Sequence, residues 1–127
     1  MTVASVVILI LLGGCATVSP IERDLQTKVP FCVSQMLLRD VIAGLDKEVK
    51  TQIRIDPRLN EVADLCINHL PKTEATSQVP LGVALDIIRM QTVYQYKANV
   101  DWKVEGDHIL LFFAGSDEDY KALKKRD

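Results

Sequence analysis

Apolar and polar positions along the chain change period several times, and each change marks an expected element. The stretch from Val79 to Phe113 is the clearest. Leu81, Ala84, Leu85 and Ile88 recur at i, i+3, i+4 and i+7, the spacing that gathers side chains on one helix face. Pro80 suits the first turn of that helix, where a missing N–H costs no hydrogen bond. After Met90 the period drops to two. Tyr94 and Tyr96 alternate with Gln95 and Lys97, and Val100, Trp102 and Val104 alternate with Asp101, Lys103 and Glu105. Glu105-Gly106-Asp107 reads as a turn, after which Ile109, Leu111 and Phe113 resume the alternation. The pattern predicts a helix laid on an antiparallel hairpin, with strand character from about Tyr94 onward.

Upstream, Pro30-Phe31-Cys32-Val33 predicts a short first strand with Phe31 and Val33 on one face. Ser34 stands where it can cap the next helix. In that helix Leu38, Val41, Ile42, Leu45 and Val49 keep one face apolar, while Arg39, Asp40, Asp46, Lys47 and Lys50 lie elsewhere. Gly44 costs it up to about 1 kcal/mol relative to alanine, a cost that close packing would explain. Gln52-Ile53-Arg54-Ile55 alternates again, and Asp56-Pro57 closes that strand. Val62 to Ile67 predicts a third short strand, with Leu65 and Ile67 facing one way and Cys66 the other. Leu70 to Gln78 is a polar loop. The predicted order is β-α-β-β-α-β-β, an α+β fold.

The first fourteen residues carry no charged side chain and are apolar almost throughout from Val3 to Leu12. Such a run would span only about 15–18 Å as a helix, short of the roughly 30 Å hydrocarbon core, so it reads as a signal-peptide core rather than a membrane span. Leu12-Gly13-Gly14-Cys15 follows and resembles the bacterial lipobox, with leucine three residues before the cysteine and small residues between. The resemblance implies that Cys15 receives a diacylglycerol, a palmitate-type modification, and becomes the first residue of the mature chain. Read without it, Cys15 would be an ordinary buried cysteine. Ala16 stands after the cysteine where an inner-membrane retention signal tends to place aspartate, which by the same resemblance favours the outer membrane. Ala16 to Val29 has no sustained period and reads as a partly flexible tether, with room for a helical turn around Ile21 to Leu25.

At 127 residues and 48% hydrophobic, the chain supports one small domain with its own core. A net charge of −2 leaves no electrostatic footprint for nucleic acid. His69 and His108 have no Cys, Asp or His at metal-ligand spacing, so no metal or other cofactor is expected. No Ser-His-Asp or Cys-His arrangement and no phosphate loop suggests an enzyme or a small-molecule substrate. Asp86 is most simply an outward-facing helix residue. Trp102 is either a partner-binding anchor or a core or edge-strand aromatic. The segment from Ser116 to Arg126 has acids first and bases last, which suits a capped surface helix, with a basic docking tag as the alternative.

Two phrases carry a wider resemblance. One is Leu38-Arg39-Asp40-Val41-Ile42 leading to Ile53-Arg54-Ile55-Asp56-Pro57. The other is Val79-Pro80-Leu81 with Ala84-Leu85-Asp86-Ile87-Ile88, followed by strand, turn and strand. Together these resemble the short N-terminal domain of secretins and TonB-dependent transducers (STN, or N0), over about Pro30 to Phe113. The longer segment between Ile67 and Val79, and Gly82-Val83 in place of two acidic residues, depart from that family. The resemblance implies two helices packed between a two-stranded and a three-stranded sheet. It divides the chain into a leader (1–14), a lipidated tether (15–29), the domain (30–113) and a C-terminal surface helix or tail (114–127).

In the resembled fold the first and third strands pair, which would set Cys32 beside Cys66. Outside the cytoplasm that pair can form a disulfide, and the alternative is two free cysteines in strands that do not align. The family's role implies a non-catalytic lipoprotein, anchored in outer-membrane lipid through Cys15 and facing the periplasm. Its domain would dock onto another envelope protein such as a secretin or a secretion-system core component, as similar lipoproteins do in type IV secretion cores. The expected docking surface is Gln95, Lys97, Asp101, Trp102 and Lys103, beside an exposed strand edge between Val93 and Val104. The alternatives are a small periplasmic ligand-binding domain and a structural envelope lipoprotein without a dedicated partner.

Overall fold

Leu81, Leu85 and Ile88 are fully enclosed, and the other elements are arranged around the helix that carries them. The computed structural model describes residues 19–125; the leader, Cys15 and the chain to Val18 lie outside the described residues, as do the last two. In chain order the elements are α1 (Pro20–Gln26), β1 (Lys28–Pro30), β2 (Val33–Leu37), α2 (Leu38–Glu48), β3 (Gln52–Ile55), α3 (Pro57–Asn60), β4 (Cys66–His69), a 3-10 turn (Glu74–Ser77), β5 (Gln78–Pro80), α4 (Leu81–Tyr96), β6 (Val100–Glu105), β7 (His108–Phe113) and α5 (Asp117–Lys124). The protein is an α+β fold, with β2-α2-β3-β4-α4-β6-β7 as its central series.

Strands β2 and β4 form an antiparallel pair, and β3-β7-β6 form a three-stranded sheet in which β3 runs parallel to β7. Helix α2 packs on β2, β4 and β3, and α4 packs on β4 and β6, so both long helices lie between the two sheets. Burial on this scale, at about 1.5–3 kcal/mol for each large enclosed side chain, holds the layers together. A third pair, β1 with β5, was not anticipated. It matches Val29 to Val79 and clips the start of the chain to the entry of α4.

Several local expectations give way to tertiary structure. The strand expected from Tyr94 is instead the last turn of α4, because the buried row Leu81, Leu85, Ile88 and Thr92 continues to Tyr96 at the helical step of four. Tyr96 Oη receives the Cys66 N–H at 2.9 Å and lies 3.2 Å from the Cys66 carbonyl, which fixes that turn as helix. The Pro30–Val33 strand is split between β1 and β2, although Phe31 and Val33 are both buried as expected. Ser34 does not cap α2; it lies in β2, and the helix begins at Leu38. The Leu38 and Arg39 N–H groups are taken by the Leu65 and Ala63 carbonyls, at 2.7 and 3.0 Å, so loop backbone replaces the cap. The third strand starts later than expected, at Cys66, after a turn. Gly44 is exposed with open space where a Cβ would stand, so close packing does not account for it.

The tether also differs. From Ser19 onward it belongs to the folded unit: Ser19 Oγ accepts the Glu22 N–H at 3.1 Å, Ile21 is buried, and Asp24 reaches Thr51. At the other end α5 is capped as expected, with Ser116 Oγ accepting the Asp119 N–H at 3.1 Å. It buries Leu123 and stacks Tyr120 under the Arg58 guanidinium, 4.5 Å from the ring centre. Gly115 permits that approach, since a Cβ there would lie 2.7 Å from the Phe113 ring.

Helix α4 stops at Lys97, whose φ of 55° is left-handed and whose N–H closes onto the Thr92 and Val93 carbonyls. This is a position glycine fills without a steric penalty. Lys97→Gly is expected to raise unfolding stability by on the order of 0.5–1 kcal/mol, read as a higher denaturant midpoint at unchanged slope. A lower midpoint would show that the lysine side chain matters more than its backbone.

Candidate functional site

The residues expected to form a docking surface fall at the end of α4 and along β6. Gln95 and Lys97 are exposed at the helix terminus rather than on a strand, which corrects the expected strand pair. Asp101, Trp102 and Lys103 are on β6, the outer strand of the three-stranded sheet. Trp102 is half-buried, and its indole N–H donates to Asp86 Oδ1 at 2.9 Å, so it serves as a cross-link from strand to helix. Asp86 is therefore not simply outward-facing. Arg89 lies between Asp86 (3.4 Å) and Asp101 (3.6 Å) and completes the network. Lys103 pairs with Glu105 at 3.2 Å and lies 5.2 Å from the Phe112 ring centre on the sheet's outer face.

The phase of β6 decides what its edge can offer. The Ala114 N–H bonds the Asn99 carbonyl at 2.6 Å, so Asp101, Lys103 and Glu105 face β7 with their backbone groups, while Val100, Trp102 and Val104 turn theirs to the open side. Part of that side is already occupied. Asp101 Oδ1 accepts the Trp102 N–H at 2.8 Å, and the Ala98 carbonyl accepts the Val100 N–H at 3.1 Å. The opposite edge is treated alike. The Ile53 N–H goes to Asp46 Oδ1 at 2.8 Å and the Thr51 N–H to Asp24 Oδ2 at 2.7 Å. Tyr96 covers β4 at Cys66 in the same manner. Carboxylates and a phenol thus occupy several of the N–H groups that would template an added strand, those of Thr51, Ile53, Cys66 and Trp102.

The open surface lies on α4 instead. Val83, Ile87, Met90 and Tyr94 follow one another at steps of four, three and four, forming a second apolar row away from Leu81, Leu85 and Ile88. Met90 is 66% exposed, Tyr94 88%, and Val83 and Val93 44% each. With Arg89, the residues Met90, Val93 and Tyr94 line a shallow depression of about 330 Å³. Sequence reading missed these residues, although the 4-3-4 spacing is visible in it. The alternation of Tyr94 and Tyr96 around polar residues drew that segment into a strand.

The cysteine pair is corrected. Cys32 and Cys66 are free, Cys32 exposed and Cys66 half-buried. Their strands do pair, but Leu37 stands opposite Cys66 and Val33 opposite His69. Continued by one residue, that register sets Cys32 level with Leu70, about 13 Å along the strand from Cys66. A disulfide needs Cα atoms within about 7 Å. That register already includes a one-residue bulge between Val33 and Met36, where Gln35 has φ 51°. His69 packs beside Phe31, with ring centres 5.5 Å apart. His108, half-buried, lies 3.3 Å from Asp107 and pulls that carboxyl below its ordinary range, chiefly by hydrogen bonding. Among the described residues no three His, Cys, Asp or Glu side chains gather as a metal site, and no helix is long and apolar enough to cross a membrane.

The C-terminal helix has its own polar seam. Arg58 pairs with Asp117, and Tyr120 Oη donates to Glu61, with Lys124 at 3.8 Å from the same carboxylate. The Tyr120 hydrogen bond, then Lys124, holds Glu61 below the usual carboxylate range, and the same bond raises Tyr120. These contacts tie α5 to α3, and the basic residues facing Glu61 are occupied there. Comparison of this chain with protein-family models, with curated proteins and with solved structures returned no match.

Proposed function

We propose that this protein is a lipid-anchored envelope protein of the STN/N0 kind, held in the outer membrane through Cys15, that works by docking onto another envelope protein and not by catalysis. The observation that carries the proposal is the exposed row Val83, Met90, Val93 and Tyr94 on α4. Large apolar side chains left together in water favour an interface, because covering them returns about 25 cal/mol per Å². The occupied N–H groups of Thr51, Ile53, Cys66, Val100 and Trp102 favour side-chain docking over strand addition. The partner accordingly presents an apolar-faced segment, with Gln95, Lys97 and Lys103 at the rim of the contact.

The test is photo-crosslinking in intact cells. A photoreactive amino acid at position 90 or 94 is expected to capture one discrete envelope protein, and the same group at Glu118 on α5 to capture none. Met90→Glu combined with Tyr94→Glu should lower complex recovered from detergent-solubilised membranes at least tenfold. Because both side chains are exposed, the melt should shift by only about 0.5 kcal/mol per substitution. Undiminished recovery by a folded double variant would remove α4 as the docking surface.

A further inference from the structure

We infer that the cleft between α1 and the end of α2 rests on anionic phospholipid headgroups of the leaflet in which Cys15 is anchored. The inference rests on the proposed acylation of Cys15 and adds an orientation to it. Four peptide steps separate Cys15 from Ser19, a reach of at most about 14 Å. At Ser19 the folded unit begins, because α1 is capped there and pinned by buried Ile21 and by the Asp24–Thr51 hydrogen bonds. No long spacer lies between the acylated residue and the domain. The anchor therefore brings the first turn of α1 to the bilayer surface.

The groups found at that turn suit such a surface. Pro20, Arg23, Lys47 and Lys50 line a cleft of about 390 Å³. Arg23, Lys47 and Lys50 are all exposed, and among the described residues none of them is ion-paired, whereas Arg58, Arg89, Lys103 and Lys124 each have a carboxylate partner. Two carboxylates, Asp24 and Glu48, stand against these three cations, so the cleft is net positive by one charge, and Asp24 is buried and turned to Thr51 while the three cations face water. The whole chain carries −2. An anionic surface would repel most faces of such a protein and attract this one, within a Debye length of about 8–10 Å. The lipid supplies the attachment and the cleft sets which way the domain points.

The acylated full-length protein in nanodiscs tests this with a water-soluble amine-acetylating reagent, read peptide by peptide by mass spectrometry. Intact mass first establishes the lipid on Cys15. In discs containing phosphatidylglycerol, Lys47 and Lys50 should be modified about threefold more slowly than in pure phosphatidylcholine discs, while Lys103 and Lys121 react alike in both. Raising salt to about 0.5 M should remove the difference, since the Debye length falls to a few ångströms. Arg23→Glu should at least halve the protection. Acylated protein whose Lys47 and Lys50 react equally in both discs overturns the headgroup contact and leaves the anchor standing, as does equal protection of Lys103 and Lys121. Protein without lipid on Cys15 overturns the anchor and the inference with it.

Discussion

Cys15→Ser is expected to abolish membrane attachment, the largest single effect available in this chain. A diacylglyceryl group buries two acyl chains, and each buried methylene contributes about 0.8 kcal/mol. One chain gives only marginal binding, while two or more hold a protein on the membrane for its working life. Nothing else on the described surface approaches that. No described helix can span a bilayer, and the chain's net charge of −2 works against adsorption to anionic lipid. The serine variant should therefore appear as a soluble form, or as an unprocessed form still carrying residues 1–14. Fractionation and intact mass separate these outcomes. A native protein found unlipidated by intact mass would end the lipoprotein reading, and a serine variant processed and fractionated like the native form would do the same.

How much of the fold could be read in the sequence depends on which residues decide each element. The central order was legible because Leu38, Val41, Ile42 and Leu45, and later Leu81, Ala84, Leu85 and Ile88, are buried at the periods they display. Alternation likewise gave β3, β6 and β7, and Gly106, at φ 62° in a two-residue turn, set the hairpin. The end of helix α4 reads as strand because Tyr94 and Tyr96 alternate with Gln95 and Lys97, and tyrosine's own strand preference agrees with that pattern. What overrides that preference is a contact thirty residues away in sequence, Tyr96 on the Cys66 backbone. Register was not legible at all. No local pattern says that Val33 meets His69, so the cysteines were aligned on topology alone and were misplaced by about four residues.

Other signals were present and underweighted. Ser19-Pro20-Ile21-Glu22 has the capping serine, a first-turn proline and an acid at the third position, which together announce a helix start. The same stretch follows the lipobox-like Leu12-Gly13-Gly14-Cys15 and has no sustained period of its own, which makes it read as tether. Nothing local in the sequence marks Asp24, Asp46 and Asp101 as structural. Each instead takes a backbone N–H near an outer edge of the three-stranded sheet. Sequence shows that an aspartate is there, but which N–H it reaches depends on strand phase.

Asp24→Ala is expected to give the largest stability loss among these carboxylates. Asp24 is 9% exposed, and Oδ2 accepts both the Thr51 N–H at 2.7 Å and the Thr51 hydroxyl. Hydrogen bonds to a charged group contribute about 1.5–3 kcal/mol, and a buried donor left without an acceptor costs about 1–3 kcal/mol. Alanine removes the acceptor and strands the Thr51 N–H at the start of β3. A loss of about 2–3 kcal/mol follows, or roughly 10 °C in melting temperature for a domain of this size. Asp24→Asn keeps an acceptor oxygen while losing the charge, so about half that loss is expected. Hydrogen exchange at the Thr51 amide should accelerate strongly in the alanine variant and modestly in the asparagine one. The loss should also reach α1, since Ile21 and Asp24 together hold that helix on the domain. An alanine variant melting within about 2 °C of the native protein would mean that water replaces the carboxylate. Helix α1 would then be held by buried Ile21, by Leu25 packed beside Gly82 and by the Leu81 N–H on the Thr27 carbonyl, with the carboxylate adding little.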